Sequence, residues 1–123
     1  MTNEEKSLLF KDLCARFPYG IIVKVFDKEY GDFDDYIENI GRSYVETNAI
    51  EELDYNPSVF YKIEDVKPYL RPLESQTDEE MEERGECVGD VMRMDYYYSH
   101  HLDCHQLIRR GLALKAPEDM YKL

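Results

Sequence analysis

The chain has no tryptophan, only three cysteines, and fifteen basic residues against twenty-seven acidic ones. It also lacks any long apolar run. The best stretch, Ile21 to Val23, is broken by Lys24, far short of the roughly 20 residues a membrane helix needs. No membrane partner is therefore expected. Cys14, Cys87 and Cys104 are an odd number at unrelated spacings, which argues against a disulfide framework and for reduced thiols in a cytosol. The N-terminus, Met1 to Lys6, is polar and acidic rather than basic and apolar, so it does not read as a secretory signal. The expected location is the cytoplasm. There is no glycine-rich phosphate loop, no Gly-x-Ser-x-Gly elbow and no Cys-x-x-Cys pair, which removes the common signatures of nucleotide, acyl-transfer and redox chemistry. No cofactor is expected.

What is present starts with charge. The net charge is −12 and unevenly spread. Asp27 to Asp54 holds ten acids against Lys28 and Arg42, and Glu74 to Asp95 holds nine against Arg84 and Arg93, while the remainder is slightly basic. Two negative segments repel a phosphate backbone, because nucleic-acid affinity rests on basic groups displacing counterions. Direct nucleic-acid binding is not expected, whereas a basic partner is compatible. At 123 residues, 43% of them apolar, the chain is long enough to bury a core as a single domain spanning 1–123.

Local signals predict an α+β fold with an N-terminal helix, a small antiparallel sheet and C-terminal helices. Thr2 and Glu5 have capping-box spacing ahead of Leu8, Leu9, Leu13 and Phe17, and Pro18 with Gly20 ends that helix. Ile21, Val23 and Val25 alternate along a β-branched strand. Asp34 to Ile40 reads as either a short helix closed by Gly41 or a polar edge strand. Tyr30-Gly31-Asp32 and Asn56-Pro57 signal turns, and Ser43 to Ile50 and Val59 to Ile63 alternate as strands. Three or four short strands suit a sheet curled like an SH3-type barrel. The β-rich part covers about 18–66. Lys67 to Gln76, with Pro68 and Pro72, reads as an irregular or polyproline-like connector. The helical part covers 77–123. Thr77 and Glu80 form a second capping box, opening a helix that heads towards Met94 through the weakening Gly85 and Gly89. Asp95 can begin a helix through Tyr96, Tyr97 and Tyr98, and Asp103 with Gln106 can cap another that Gly111 stops; these are two helices or one. Leu112 to Lys115 reads as extended.

The stretches Lys67 to Glu80 and His100-His101-Leu-Asp103 continuing through Leu107-Ile108 to Gly111-Leu-Ala-Leu-Lys-Ala-Pro117, together with Lys11 to Gly20, resemble a family of small uncharacterised proteins of gut bacteria and their phages and prophages. The resemblance touches both ends and the middle of the chain. It implies a mobile-element context and supplies no catalytic residue to carry over.

The most chemical-looking cluster is His100-His101-Leu-Asp-Cys104-His105, which holds all three histidines. On a helix, His101 and His105 share a face, as do His100 and Cys104, and thiolate with imidazole suits zinc. A structural site wants four ligands, however, and no second Cys/His pair exists. The family resemblance points the same way, since relatives carry Tyr and Arg where this chain has Cys104 and His105. Cys104 as a thiol nucleophile lacks an orienting third residue and an oxyanion hole; the plainer reading is an inert core thiol. The acidic run Asp27 to Glu38 misses a calcium loop, because its glycine comes one place early and a strand precedes it.

Eleven tyrosines complete the inventory, and Tyr96, Tyr97 and Tyr98 cannot all face one core from a helix. Tyrosine suits interfaces, where its apolar ring and polar tip both find use, although exposed aromatic rings also occur without function. The reading is a non-catalytic protein that binds another protein, with Tyr69, Tyr96, Tyr97, Tyr98, Asp32, Asp34, Asp35, Glu79 and Glu80 as its candidate surface. The segregated charge also fits a nucleic-acid mimic that blocks a DNA- or RNA-binding enzyme. A metal- or thiol-dependent enzyme centred on His100 to His105 is the third reading. Homo-oligomerisation through an exposed sheet edge remains compatible with the sequence.

Overall fold

The computed structural model describes residues 1–29, 31–41, 44–47 and 59–121. The chain divides into two compact units, Met1–Tyr69 and Leu70–Leu123. Together they have the α+β architecture expected: an N-terminal helix, a mostly antiparallel six-stranded sheet and C-terminal helices. No helix among the described residues is long and apolar enough to cross a membrane.

In the first unit, helix α1 (Asn3–Arg16) opens as the capping box requires. The Thr2 hydroxyl accepts from the Glu5 N–H at 3.1 Å and the Glu5 carboxylate accepts from the Thr2 N–H at 2.9 Å. Its buried face is Leu9, Asp12, Leu13 and Arg16, which differs from the expected apolar row. Phe17 is exposed, and a buried ion pair, Arg16 Nε to Asp12 Oδ1 at 2.6 Å, occupies the end of the helix. An i, i+4 spacing lets Asp and Arg meet on one face, so each neutralises the other out of water.

Five strands follow: β1 (Ile22–Val25), β2 (Phe33–Gly41), β3 (Tyr44–Thr47), β4 (Val59–Lys62) and β5 (Val66–Leu70). Strands β1 to β4 form an antiparallel meander, and β5 returns to pair with the free side of β1. Segment 34–40, left open between helix and edge strand, is a strand paired on both sides. Its period is broken by an irregularity between Ile37 and Asn39, which explains why the sequence pattern is hard to read there. The inner face buries Val23, Val25, Ile37, Val45, Tyr61 and Val66. A 3-10 turn, Ile63–Asp65, joins β4 to β5 and meets α1 through Lys6 and Glu64, 2.8 Å apart. The Lys6 ammonium holds the Glu64 carboxyl below its ordinary value. The expected strand residues 48–50, the Asn56-Pro57 turn, and Tyr30 and Ser43 lie outside the described residues.

The segment read as an irregular connector is corrected at its start. Pro68 sits within β5 opposite Val23, because a fixed φ near −65° is compatible with extended backbone and only a donor is lost. The last residue of β5, Leu70, already belongs to the second unit. There its carbonyl accepts from the Ala116 N–H at 2.8 Å, next to the two-residue strand β6 (Leu114–Lys115). The full strand order is β4-β3-β2-β1-β5-β6.

In the second unit a 3-10 turn, Leu73–Ser75, precedes helix α2 (Asp78–Gly85), whose Thr77/Glu80 capping box is formed at both ends. The expected single helix towards Met94 is two. It breaks over residues 86–88, and Gly89 takes φ +80°, a conformation glycine alone adopts without strain. Helix α3 (Gly89–Ser99) then runs through Asp95, where a new helix was expected to start. The helix expected from Asp103 is absent: residues 103–113 form turns and bends before β6. The Asp103 carboxylate makes the bonds of a cap, accepting from Leu107 N–H at 2.7 Å and Ile108 N–H at 3.0 Å, yet Gln106 takes φ +57° and stops propagation. Side-chain bonds of this kind compete with helix as readily as they start one.

Candidate functional site

In the first unit, strand alternation fixes which residues face outward. Asp34 lies opposite Lys24, and Lys24 lies opposite Lys67, so the three share the outer face. Tyr69, two residues beyond Lys67, joins them there. It is only 9% exposed, and its hydroxyl donates to Asp34 Oδ1 at 2.6 Å. Burial first, and then the Asp34 carboxylate, pushes the Tyr69 phenol up to about 12. Tyr69 is therefore corrected from a surface contact to a buried ring whose polar tip is consumed by Asp34. Asp32 is exposed, and Asp35 is half-buried with Oδ1 accepting the Tyr36 N–H at 2.8 Å. Asp27 is also engaged, taking the Tyr61 hydroxyl at 2.7 Å and the Glu29 N–H at 2.8 Å. Because β2 begins at Phe33, Asp34 and Asp35 of the Asp27 to Glu38 run point to opposite faces of a strand instead of converging on one loop.

Further along the outer face, Tyr36, Tyr44 and Phe60 are exposed, Phe60 by 67%. A concavity of about 370 Å³ lies there, lined by Asn39, Ile40, Gly41, Tyr44, Glu46 and Phe60. Phe60 is paired across strands with Glu46. The sequence reading missed these aromatic residues. The signal that could have found them is strand parity: Tyr44 and Phe60 occupy the face opposite to Val45 and Tyr61.

In the second unit, Glu80 is a hub. Its carboxylate closes the cap of α2 and grips Arg71 with both oxygens, at 2.7 and 2.8 Å, while its carbonyl accepts the Tyr96 hydroxyl at 2.9 Å. The Arg71 guanidinium holds the Glu80 carboxyl at about 2. Glu80 is thus half-buried and structural, while Glu79 is exposed. Tyr96, only 9% exposed, is likewise corrected from the surface: it stacks on His100 with ring centres 4.0 Å apart, and its hydroxyl also bonds Glu83. Burial, with the Glu83 carboxylate second, raises its phenol to about 12. Tyr97 and Tyr98 are half-buried. A concavity of about 680 Å³ in this unit is lined by Arg71, Thr77, Glu80, Lys115, Glu118 and Tyr121 among others, with the Arg71 charge already balanced by Glu80.

The histidine cluster does not present the helical spacing that suggested zinc. Helix α3 ends at Ser99, and His101 has φ +58°, so the i, i+4 relation of His101 to His105 is not formed. Each ring instead has its own neighbour within the unit. His100 Nδ1 lies 2.9 Å from the Tyr96 carbonyl, His101 is buried and stacks on Tyr121 at 3.8 Å, and His105 Nε2 meets the Tyr98 hydroxyl at 2.9 Å. Cys104 is half-buried and lies outside any disulfide.

The feature that sequence reasoning missed in this unit is apolar. Val88 is 79% exposed, Val91 77%, Met92 51% and Met81 43%, all within the acid-rich segment Glu74 to Asp95. The buried side of α3 is marked by Tyr96. Compared with known proteins, the chain matches no family model, no curated protein and no solved structure.

Proposed function

We propose that this is a non-catalytic binding protein that engages another protein through its acidic, apolar-studded surface. One observation carries the reading. Of the ten large apolar side chains exposed among the described residues, six (Tyr36, Tyr44, Met81, Val88, Val91 and Met92) fall within the two acid-rich segments. Solubility alone would ask for acids there, not for valines three-quarters exposed. Apolar area ringed by charge is the make-up of a protein-recognition surface, in which the apolar part supplies affinity and the charge selects the partner. The tyrosines of the candidate set contribute chiefly by holding the frame: Tyr69 and Tyr96 are consumed internally, while Tyr97 and Tyr98 keep partial exposure. A cytoplasmic setting and a phage or prophage context rest on the odd number and unrelated spacings of the cysteines and on the sequence resemblance.

The test is affinity capture from lysate of the source organism at low and moderate salt, read by quantitative mass spectrometry and followed by reconstitution from purified components. One partner enriched at both salts and reconstituted as a complex is the expected result. A DNA- or RNA-handling enzyme released by salt and displaced by DNA would instead identify a nucleic-acid mimic. A blank at both salts overturns the reading.

A further inference from the structure

Helix α3 carries an exposed stripe in its first two turns. Val91, Met92 and Asp95 stand at i, i+1 and i+4, so Asp95 lies on the same face one turn beyond Val91 and within i+3 of Met92, and Val88, the N-cap just ahead of the helix, is exposed as well. All of these are exposed. The charge of the segment is predominantly negative. From Glu74 to Asp95 there are nine acids against Arg84 and Arg93, and eight of the nine (all but Glu80, which is held by Arg71) are exposed.

We infer that this stripe is the seat of a basic amphipathic helix of a partner protein, one with apolar residues spaced at i, i+3 and i+4 and flanked by Lys or Arg. The inference rests on the protein-binding reading above and gives it a place and a partner chemistry. Charge selects the occupant. A second copy would bring the same carboxylates to the same stripe, and like charges brought face to face oppose binding. An anionic membrane surface is repelled for the same reason. A short apolar row on a helix is matched by another helix laying its own apolar row against it, and basic flanks turn the exposed carboxylates of the segment from a penalty into attraction.

The test is selection of a random 16-residue peptide library displayed on phage against the full chain, with binding of recovered peptides measured by fluorescence anisotropy. The expected result is enrichment of net-positive peptides with helical apolar spacing. Their affinity should fall at least about tenfold in Val91→Asp and severalfold in Val88→Ser, and weaken severalfold on raising salt from about 50 to about 500 mM. Both substitutions are at exposed positions, and an unchanged circular dichroism spectrum and melting temperature separates lost binding from lost folding. The inference is overturned if no peptide is enriched, if the enriched peptides carry no net positive charge, or if their binding is unchanged in Val91→Asp. It is equally overturned if the chain dimerises at micromolar concentration through a contact that Val91→Asp abolishes. A partner captured from lysate that binds Val91→Asp as well as the native chain would sink this placement and leave the protein-binding reading standing.

Discussion

Arg71 and Glu80 are joined by two parallel hydrogen bonds, Nη1 to Oε2 at 2.8 Å and Nη2 to Oε1 at 2.7 Å, with side chains 25% and 14% exposed. The same arginine lies at the end of β5, where its N–H donates to the His101 carbonyl and its carbonyl accepts from the Asp103 N–H. One ion pair thus fastens helix α2 to the loop that carries the histidines.

This pair sets an acid limit. The Glu80 carboxyl is held at about 2 in the fold against an ordinary 4.5. A carboxyl depressed in the folded state contributes stability that is complete above pH 4.5 and is lost as pH falls towards 2. The contribution is of order 2–3 kcal/mol at neutral pH. Urea unfolding at pH 7, 4.5 and 3 should show this loss in the native chain. Glu80→Gln should be less stable at pH 7 and flatter across the same range. An equal slope in both would show that other carboxyls dominate.

At the alkaline end the tyrosines act in the opposite sense. Tyr69 and Tyr96 both ionise at about 12 in the fold against an ordinary 10. A raised phenol favours the folded state below pH 10, and that advantage disappears as pH climbs from 10 to 12. Absorbance titration should therefore show two phenols lagging behind the ordinary range until the fold opens. In Tyr69→Phe and Tyr96→Phe one late step each should vanish, with a loss of about 0.5–1.5 kcal/mol for the hydroxyl's bonds.

Asp12 and Arg16 should behave as a unit. Both are essentially without solvent contact, so removing Asp12 takes from the Arg16 guanidinium a carboxylate 2.6 Å away that water cannot replace. Asp12→Ala should cost about 3–5 kcal/mol, measured by denaturant unfolding. The double substitution Asp12→Leu with Arg16→Met should recover much of that loss. A double variant as unstable as the single one would show that the pair has further partners of equal weight.

Two glycines should respond with opposite signs. Gly111 takes φ +76°, so Gly111→Ala should cost about 1 kcal/mol, whereas Gly85 closes α2 with ordinary φ and open space around its Cα. Gly85→Ala should stabilise by up to about 1 kcal/mol. Thermal melting of the two variants decides this.

What could be read from the sequence was whatever is specified within a few residues. Thr2 with Glu5 and Thr77 with Glu80 are capping boxes because the two partners lie three apart, and both formed. The β-branched run of β1 and the alternation of β3 and β4 were legible for the same reason. Strand β2 was not, because Asp34, Asp35 and Glu38 mask its few apolar positions and an irregularity after Ile37 shifts the parity. Asp103 shows the limit of a local rule: its carboxylate makes capping bonds to Leu107 and Ile108 without a helix to cap. In the candidate surface, Glu79 and Asp32 are exposed as read. Tyr69 and Tyr96 are buried because a carboxylate 35 residues away and a helix carbonyl 16 residues away receive their hydroxyls. Such partners are chosen by tertiary packing and leave no local trace.

The boundary between the two units falls inside strand β5, between Tyr69 and Leu70. Shuffling by recombination works best when a module can be lifted out at a loop, leaving its own hydrogen bonds whole. Here the unit boundary falls in a strand instead of a loop, yet a crossover there leaves those bonds whole: the Val66–Pro68 end pairs with β1 inside the first unit, and the Leu70 carbonyl serves Ala116 inside the second.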